Sequence, residues 1–186
     1  MKKILLGSKS PRRRELLAGL DIPFEIVDIQ CEETFPENLK EGNIPLHIAR
    51  LKAAAYKNNL REDELLITAD TIVWADGIVL GKPHNEEDAK KMLHFLSDKT
   101  HQVYTAVCLT STDKSIDFID KTDVVFSHLT DEQIDYYIKH YRPLDKAGAY
   151  GVQEWIGYIG VKAINGSFYN VMGLPVHRLY ESLMLF

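Results

Sequence analysis

Ile4-Leu5-Leu6-Gly7-Ser8-Lys9-Ser10-Pro11-Arg12-Arg13-Arg14 is the stretch from which the fold is read. The apolar run predicts a short buried strand, the two serines a turn, and Pro11 the opening of a helix with Ser10 at its cap. Proline suits a first helical position because it has no amide hydrogen to leave unpaired and its φ is already near helical. The amides at that helix start carry partial positive charge and form a natural seat for a phosphate. Three arginines in the first turn oppose the helix dipole. Two readings follow: an anion held there removes the conflict, or the arginines are a solvated basic face.

Outward from this strand and helix, Leu16, Leu17 and Leu20 continue the helical spacing, and Phe24-Glu25-Ile26-Val27 reads as a second strand. Residues 30–43 read as an exposed loop, and Pro45 opens a helix with Ile48, Leu51 and Ala55 on one face. Leu65-Leu66-Ile67 predicts a buried strand ending at Ala69-Asp70-Thr71. Asp76-Gly77 between Ile72-Val73-Trp74 and Ile78-Val79-Leu80 is a hairpin signal. Asn85 caps a helix over Ala89, Met92, Leu93 and Leu96, and Thr130 with Gln133 forms a capping box. Longer strands are expected over residues 103–110 and 116–126, further strand structure over 157–164, and a last helix opened by Pro175. Helices and strands alternate, which makes the class α/β or α+β with a mixed sheet.

A chain of 186 residues with 45% hydrophobic content supports one substantial core or two small lobes. Its formal charge of −5 argues against a general nucleic-acid or acidic-membrane binder and makes the cationic run at 12–14 a local feature. The two cysteines, Cys31 and Cys108, have no CxxC spacing and suit a reducing cytoplasm. The apolar run after Met1-Lys2-Lys3 is too short for a signal peptide, and no stretch is long enough for a membrane span. Walker, dinucleotide-binding and serine-hydrolase signatures are absent from the sequence. The seven histidines lack zinc-site spacing and read as surface or packing residues.

The remaining candidates are polar residues near short buried strands. Asp70 is expected at a strand's carboxyl edge, where it either holds a divalent cation and orients water or caps the strand in an Asx-turn. Thr71 offers a hydroxyl beside it. Lys82, on the stiff turn Gly81-Lys82-Pro83, is a surface lysine or a phosphate contact. Lys52 interrupts an apolar helix face, which implies snorkelling or a directed charge. Glu33, beside Glu32, is compatible with simple solvation.

Six blocks in order carry a resemblance: Leu6 through Leu17; Ala69-Asp70-Thr71-Ile72-Val73; Leu80-Gly81-Lys82-Pro83; Leu96-Ser97 with His101 and Val103; Asp145-Lys146-Ala147-Gly148-Ala149-Tyr150-Gly151-Val152-Gln153; and Gly166-Ser167 to Asn170-Val171-Met172-Gly173-Leu174-Pro175. Together they resemble the Maf (septum formation) family of nucleoside triphosphate pyrophosphatases, in its dTTP/UTP branch. The resemblance implies a single domain over residues 1–186, an elongated mixed sheet flanked by helices, and two lobes around a deep cleft, similar to inosine-triphosphate pyrophosphatases. It implies hydrolysis of dTTP and UTP, with CTP and modified pyrimidine nucleotides as further candidates, to monophosphate and pyrophosphate. Mg²⁺ or Mn²⁺ is the implied cofactor, with Glu33 and Asp70 as metal residues and Asp70 as the proton acceptor. Ser8, Arg12, Arg13, Lys52 and Lys82 are implied to bind phosphate, with a Ser10 hydroxyl contact near the helix start.

Arg12, Thr71 and Gln153 match the trio that divides the family by substrate. A glutamine both donates and accepts, which suits the O4/N3–H edge of thymine or uracil. Gly7 stands where alanine is commoner, and Glu154-Trp155 replaces a smaller pair; Trp155 is a base-stacking platform or a core residue. The expected partner is the nucleotide, with no nucleic acid and no membrane, in the cytoplasm. A homodimer is the assembly to test, since no residue specifies it. A second class of function stays open, a nucleotide-binding regulator of cell division in which hydrolysis is incidental.

Overall fold

The computed structural model describes residues 2–186. The opening strand, β1 (Lys3–Leu6), pairs in parallel with β2 (Phe24–Ile26) on one side and β3 (Glu64–Ala75) on the other, with Ile4 opposite Phe24 and Leu65. A strand covered on both faces has to be apolar throughout, and Ile4, Leu5 and Leu6 are all buried. Helix α1 (Pro11–Ala18) links β1 to β2 and begins at Pro11, as its proline predicts. Ser10 sits at the cap, but its side chain makes no capping hydrogen bond. Helix α2 (Asn43–Tyr56) starts two residues before Pro45, which falls in a first turn whose amides lack helical partners in any case.

Asp70 is not at the end of a strand. The apolar runs on either side of it form one strand, β3, that changes partners. It pairs with β1 as far as Ile67 and, from Val73, with β4 (Ile78–Leu80), antiparallel. Residues 68–72 lie between those two registers. The turn to β4 is the expected two-residue one, with Asp76 at φ 51° and Gly77 at φ 78°.

Beyond β4 come α3 (Glu86–Leu96), β5 (Thr100–Thr110), β6 (Ser115–Phe126), α4 (Asp131–Tyr141), α5 (Trp155–Gly160), β7 (Val161–Asn165), α6 (Phe168–Met172) and α7 (Val176–Leu183). Asn85 accepts the Asp88 amide at 2.8 Å, and Thr130 and Gln133 exchange both bonds of their capping box. Residues 157–160, expected as strand, are helical: the Gly157 amide donates to the Glu154 carbonyl at 2.8 Å, which closes the first turn of α5. Among the described residues, seven strands form one sheet in the order β2-β1-β3-β5-β6-β7, with β4 pairing β3. No described helix is long and apolar enough to cross a membrane.

The chain divides into two compact units, each discontinuous in sequence. The first takes the chain up to Thr71, then Thr105–Asp120 and Gly173–Phe186; the second takes Ile72–Tyr104 and Lys121–Met172. The first unit's core joins Ile4, Leu6, Leu17, Leu65 and Ile67 to Leu179 and Leu183 of α7. The second is built on Leu93, Leu96, Ile134, Tyr137 and Phe126. Here His101 is a packing residue, fully buried, its Nε2 2.7 Å from the Tyr150 hydroxyl and its ring edge-on to Phe126. Asn170, on the unexpected α6, ties β5 to β6 through Val103 O at 3.1 Å and Thr122 Oγ1 at 2.9 Å.

Candidate active site

In the first unit the turn after β1, the start of α1, the middle of α2 and the mid-strand residues of β3 converge. Lys52 is the hub. Its ammonium lies 3.2 Å from Asp70 Oδ1 and 3.1 Å from Glu33 Oε2, and donates to the Ala69 carbonyl at 3.5 Å. The Lys52 and Asp70 side chains retain only 11% and 15% of their exposure, so this is an enclosed pair; Glu33, on the loop before α2, is half exposed. Burial raises the Asp70 carboxyl above its ordinary value, opposed by the charges of Lys52 and Arg13. A carboxylate made more basic by burial, with cations beside it, is suited to accept a proton.

Arg13 occupies a different position from a simple phosphate clamp. Its Nε donates to Gly173 O at 2.8 Å, Nη1 to Ala69 O at 3.0 Å and Ser8 Oγ at 3.4 Å, and Nη2 to Thr71 Oγ1 at 3.0 Å. A guanidinium has five N–H donors, so these contacts leave it one donor beyond its positive charge. Burial lowers its affinity for its proton, and the Asp70 charge opposes that. Gly173 has φ 113°, in the region that favours glycine, and its carbonyl meets Arg13 Nε. Thr71 is drawn into the same network, its hydroxyl 2.9 Å from that of Thr105. Ser8 is buried; its oxygen accepts from the Ser10 amide at 3.3 Å and from Arg13, so its own hydrogen is committed to neither contact. Arg12 is partly exposed on the first turn of α1.

Glu33 and Asp70 present hard oxygen donors on either side of one ammonium, a set that fits a Mg²⁺-like ion completed by water and phosphate oxygens. Among the described residues no group of three or more His, Cys, Asp or Glu is placed to enclose a metal.

Lys82 and Gln153 belong to the second unit. Lys82 is exposed on the segment after β4, and the preceding Gly81 carbonyl accepts the Gly148 amide at 3.0 Å. That bond joins the lysine's segment to the one leading to Gln153. Gly148 is the position the turn demands: its φ is 68°, and an added Cβ would lie 2.8 Å from the Val73 side chain. The Gln153 amide oxygen is buried without a hydrogen-bond partner. A buried acceptor left unmatched costs stability.

Two parts of this arrangement escaped the sequence. Thr105 and the carbonyls of Ala69 and Gly173, which hold Arg13, carry no pattern of their own.

The Maf-like protein family matches residues 3–186. The chain belongs to the Maf-like family. It is 60% identical over 182 residues to the dTTP/UTP pyrophosphatase of Phocaeicola vulgatus, covering 97% of this chain and 94% of that one. Similarity to the proteins of the same name from Bacteroides thetaiotaomicron (54%; 97% and 94% covered) and Flavobacterium psychrophilum (47%; 98% and 93%) is of the same extent. In fold this Maf-like chain resembles the Ham1 protein of Staphylococcus aureus, at a TM-score of 0.56 with 98% of each chain covered and 16% identity.

Proposed function

We propose that this protein hydrolyses nucleoside triphosphates, dTTP and UTP foremost, between the α- and β-phosphates. Support comes from the near full-length similarity to proteins named dTTP/UTP pyrophosphatase and from one observation above all: the enclosed Asp70–Lys52 pair with Glu33 at its edge. Asp70 takes a proton from water as the water oxygen bonds to the α-phosphorus. The bond from that phosphorus to the bridging oxygen breaks, and its electron pair leaves with pyrophosphate. Lys52, Lys82 and the charge of Arg13 offset the growing negative charge, with Arg12 and the Ser8 hydroxyl as further phosphate contacts. Glu33 and Asp70 would hold a divalent cation, Mg²⁺ or Mn²⁺, which supplies Lewis-acid stabilisation of phosphate oxygens.

Gln153 is the proposed reader of the base. Its unpartnered Oε1 would accept the N3–H of thymine or uracil while its Nε2 donates to O4. Arg12 and Thr71 are proposed to act on the same choice, Thr71 through its bond to Arg13. Free thiols at Cys31 and Cys108 support a cytoplasmic setting. A sensor of nucleotides would have no use for a basic carboxylate at Asp70, which favours the enzyme over the regulator.

The test is product analysis of dTTP turnover in ¹⁸O-water with Mg²⁺ or Mn²⁺. The expected products are labelled dTMP and unlabelled pyrophosphate. Orthophosphate with dTDP would sink the assignment.

A further inference from the structure

Next to Gln153 in the chain lies a partly buried polar network that the reaction does not use. The Tyr137 ring, from α4, is fully buried, and its oxygen accepts the Gly151 amide at 2.9 Å while its hydrogen is donated to Glu154 Oε2. Burial first, and the bond to Glu154 second, raise the phenol above its ordinary value, so it remains a donor. Glu154 Oε1 lies 3.2 Å from the ammonium of Lys146, itself buried and 2.8 Å from Asp145 Oδ1. The Glu154 amide returns to the Gly151 carbonyl at 3.0 Å. The chain is thus pinned two residues before Gln153 and one residue after it, while the Gln153 amide oxygen is left unpartnered.

A partly buried ion pair such as Lys146–Glu154 is weak evidence of stabilisation, because desolvation offsets much of its attraction; fixing a geometry is its better attested use.

We infer that Tyr137, Glu154 and Lys146 are positioning residues that hold Gln153 in the orientation from which it reads a pyrimidine. The inference rests on the proposed role of Gln153. A chain fixed on both sides of Gln153 before the substrate arrives spares the nucleotide part of the cost of ordering that residue, an effect of about 3- to 10-fold in affinity.

The experiment measures kcat and KM for dTTP and GTP in wild type, Tyr137→Phe, Glu154→Gln, Gln153→Ala and the Tyr137→Phe/Gln153→Ala double variant. Tyr137→Phe removes the hydroxyl. Glu154→Gln keeps size and an acceptor for Tyr137 but drops the charge facing Lys146, and it carries the test if the phenylalanine variant does not fold. Each single brace variant is expected to lower the dTTP/GTP ratio of kcat/KM about 3- to 10-fold, through the KM for dTTP, with kcat and GTP hydrolysis little changed. The double variant is expected to match the ratio of Gln153→Ala alone. If Gln153→Ala loses the ratio while the brace variants keep it, or lose dTTP and GTP activity equally, the brace is overturned and the Gln153 reading survives. If Gln153→Ala keeps the ratio, the base-recognition reading falls and the brace with it.

Discussion

Replacing Arg13 with lysine preserves the charge and removes the fork, and the structure sets what that costs. Three contacts of 2.8–3.0 Å run from the guanidinium to Gly173 O, Ala69 O and Thr71 Oγ1, acceptors drawn from the C-terminal segment and from β3. Hydrogen bonds from a charged donor are each worth about 1.5–3 kcal/mol, and a single ammonium can keep one or two of them. The expected loss is therefore about 2–5 kcal/mol, a large share of the roughly 5–15 kcal/mol that holds a domain together. For a chain of this length that lowers Tm by roughly 5–20 °C. Because the Ala69 carbonyl adjoins Asp70 and Thr71 is itself one of the acceptors, kcat should fall as well, with dTTP and UTP affected alike. Thermal and urea melts of Arg13→Lys beside Lys52→Arg, with steady-state kinetics of both, make the measurement. An Arg13→Lys protein with unchanged Tm and only a raised KM for every nucleotide would refute this reasoning. Arg13 would then be a phosphate ligand and nothing more.

Asp70→Asn keeps shape but removes the proton acceptor, so turnover of dTTP should fall by roughly 10²–10⁴ while a non-hydrolysable analogue still binds; near-normal turnover would transfer the role elsewhere. Gln153→Glu should depress kcat/KM for dTTP and UTP by about 5- to 150-fold and spare GTP, whose ring donors can meet a carboxylate; an equal loss on all three would make Gln153 structural. His101, held neutral by burial with its pKa lowered from 6.5 to about 4, makes stability depend on pH. The unfolded chain binds a proton there that the folded one refuses. The contribution is whole above pH 6.5 and is lost as pH falls toward 4, by about 2 kcal/mol at pH 5. Urea melts at pH 7.5 and 5.0 should show that loss in wild type and not in His101→Gln; equal losses in both would place the proton elsewhere.

The strand-turn-helix at the N-terminus, the hairpin at Asp76-Gly77, the caps at Asn85 and Thr130 and the helix after Pro175 were all legible, because each depends on neighbours within a few residues. Asp70 was legible as a residue but not as a place. Whether Leu65-Leu66-Ile67 and Ile72-Val73-Trp74 are two strands or one depends on which partners lie alongside, and β1 and β4 supply them from either side in sequence. The local pattern of residues 157–164 likewise gave no warning of the helical turn of α5 before β7.

The sequence by itself determined the alternating α/β class, the family resemblance and the identity of the charged residues, since these reside in residue types, spacing and turn chemistry. Tertiary structure alone decided how those charges are used. Lys52 meets Glu33 and Asp70 across 19 and 18 positions of chain, and Arg13 meets Gly173 across 160. An arginine's five donors carry no mark in sequence of what they will bind. Only folding brought two carbonyls and two hydroxyls to Arg13, and left the amide oxygen of Gln153 without a partner.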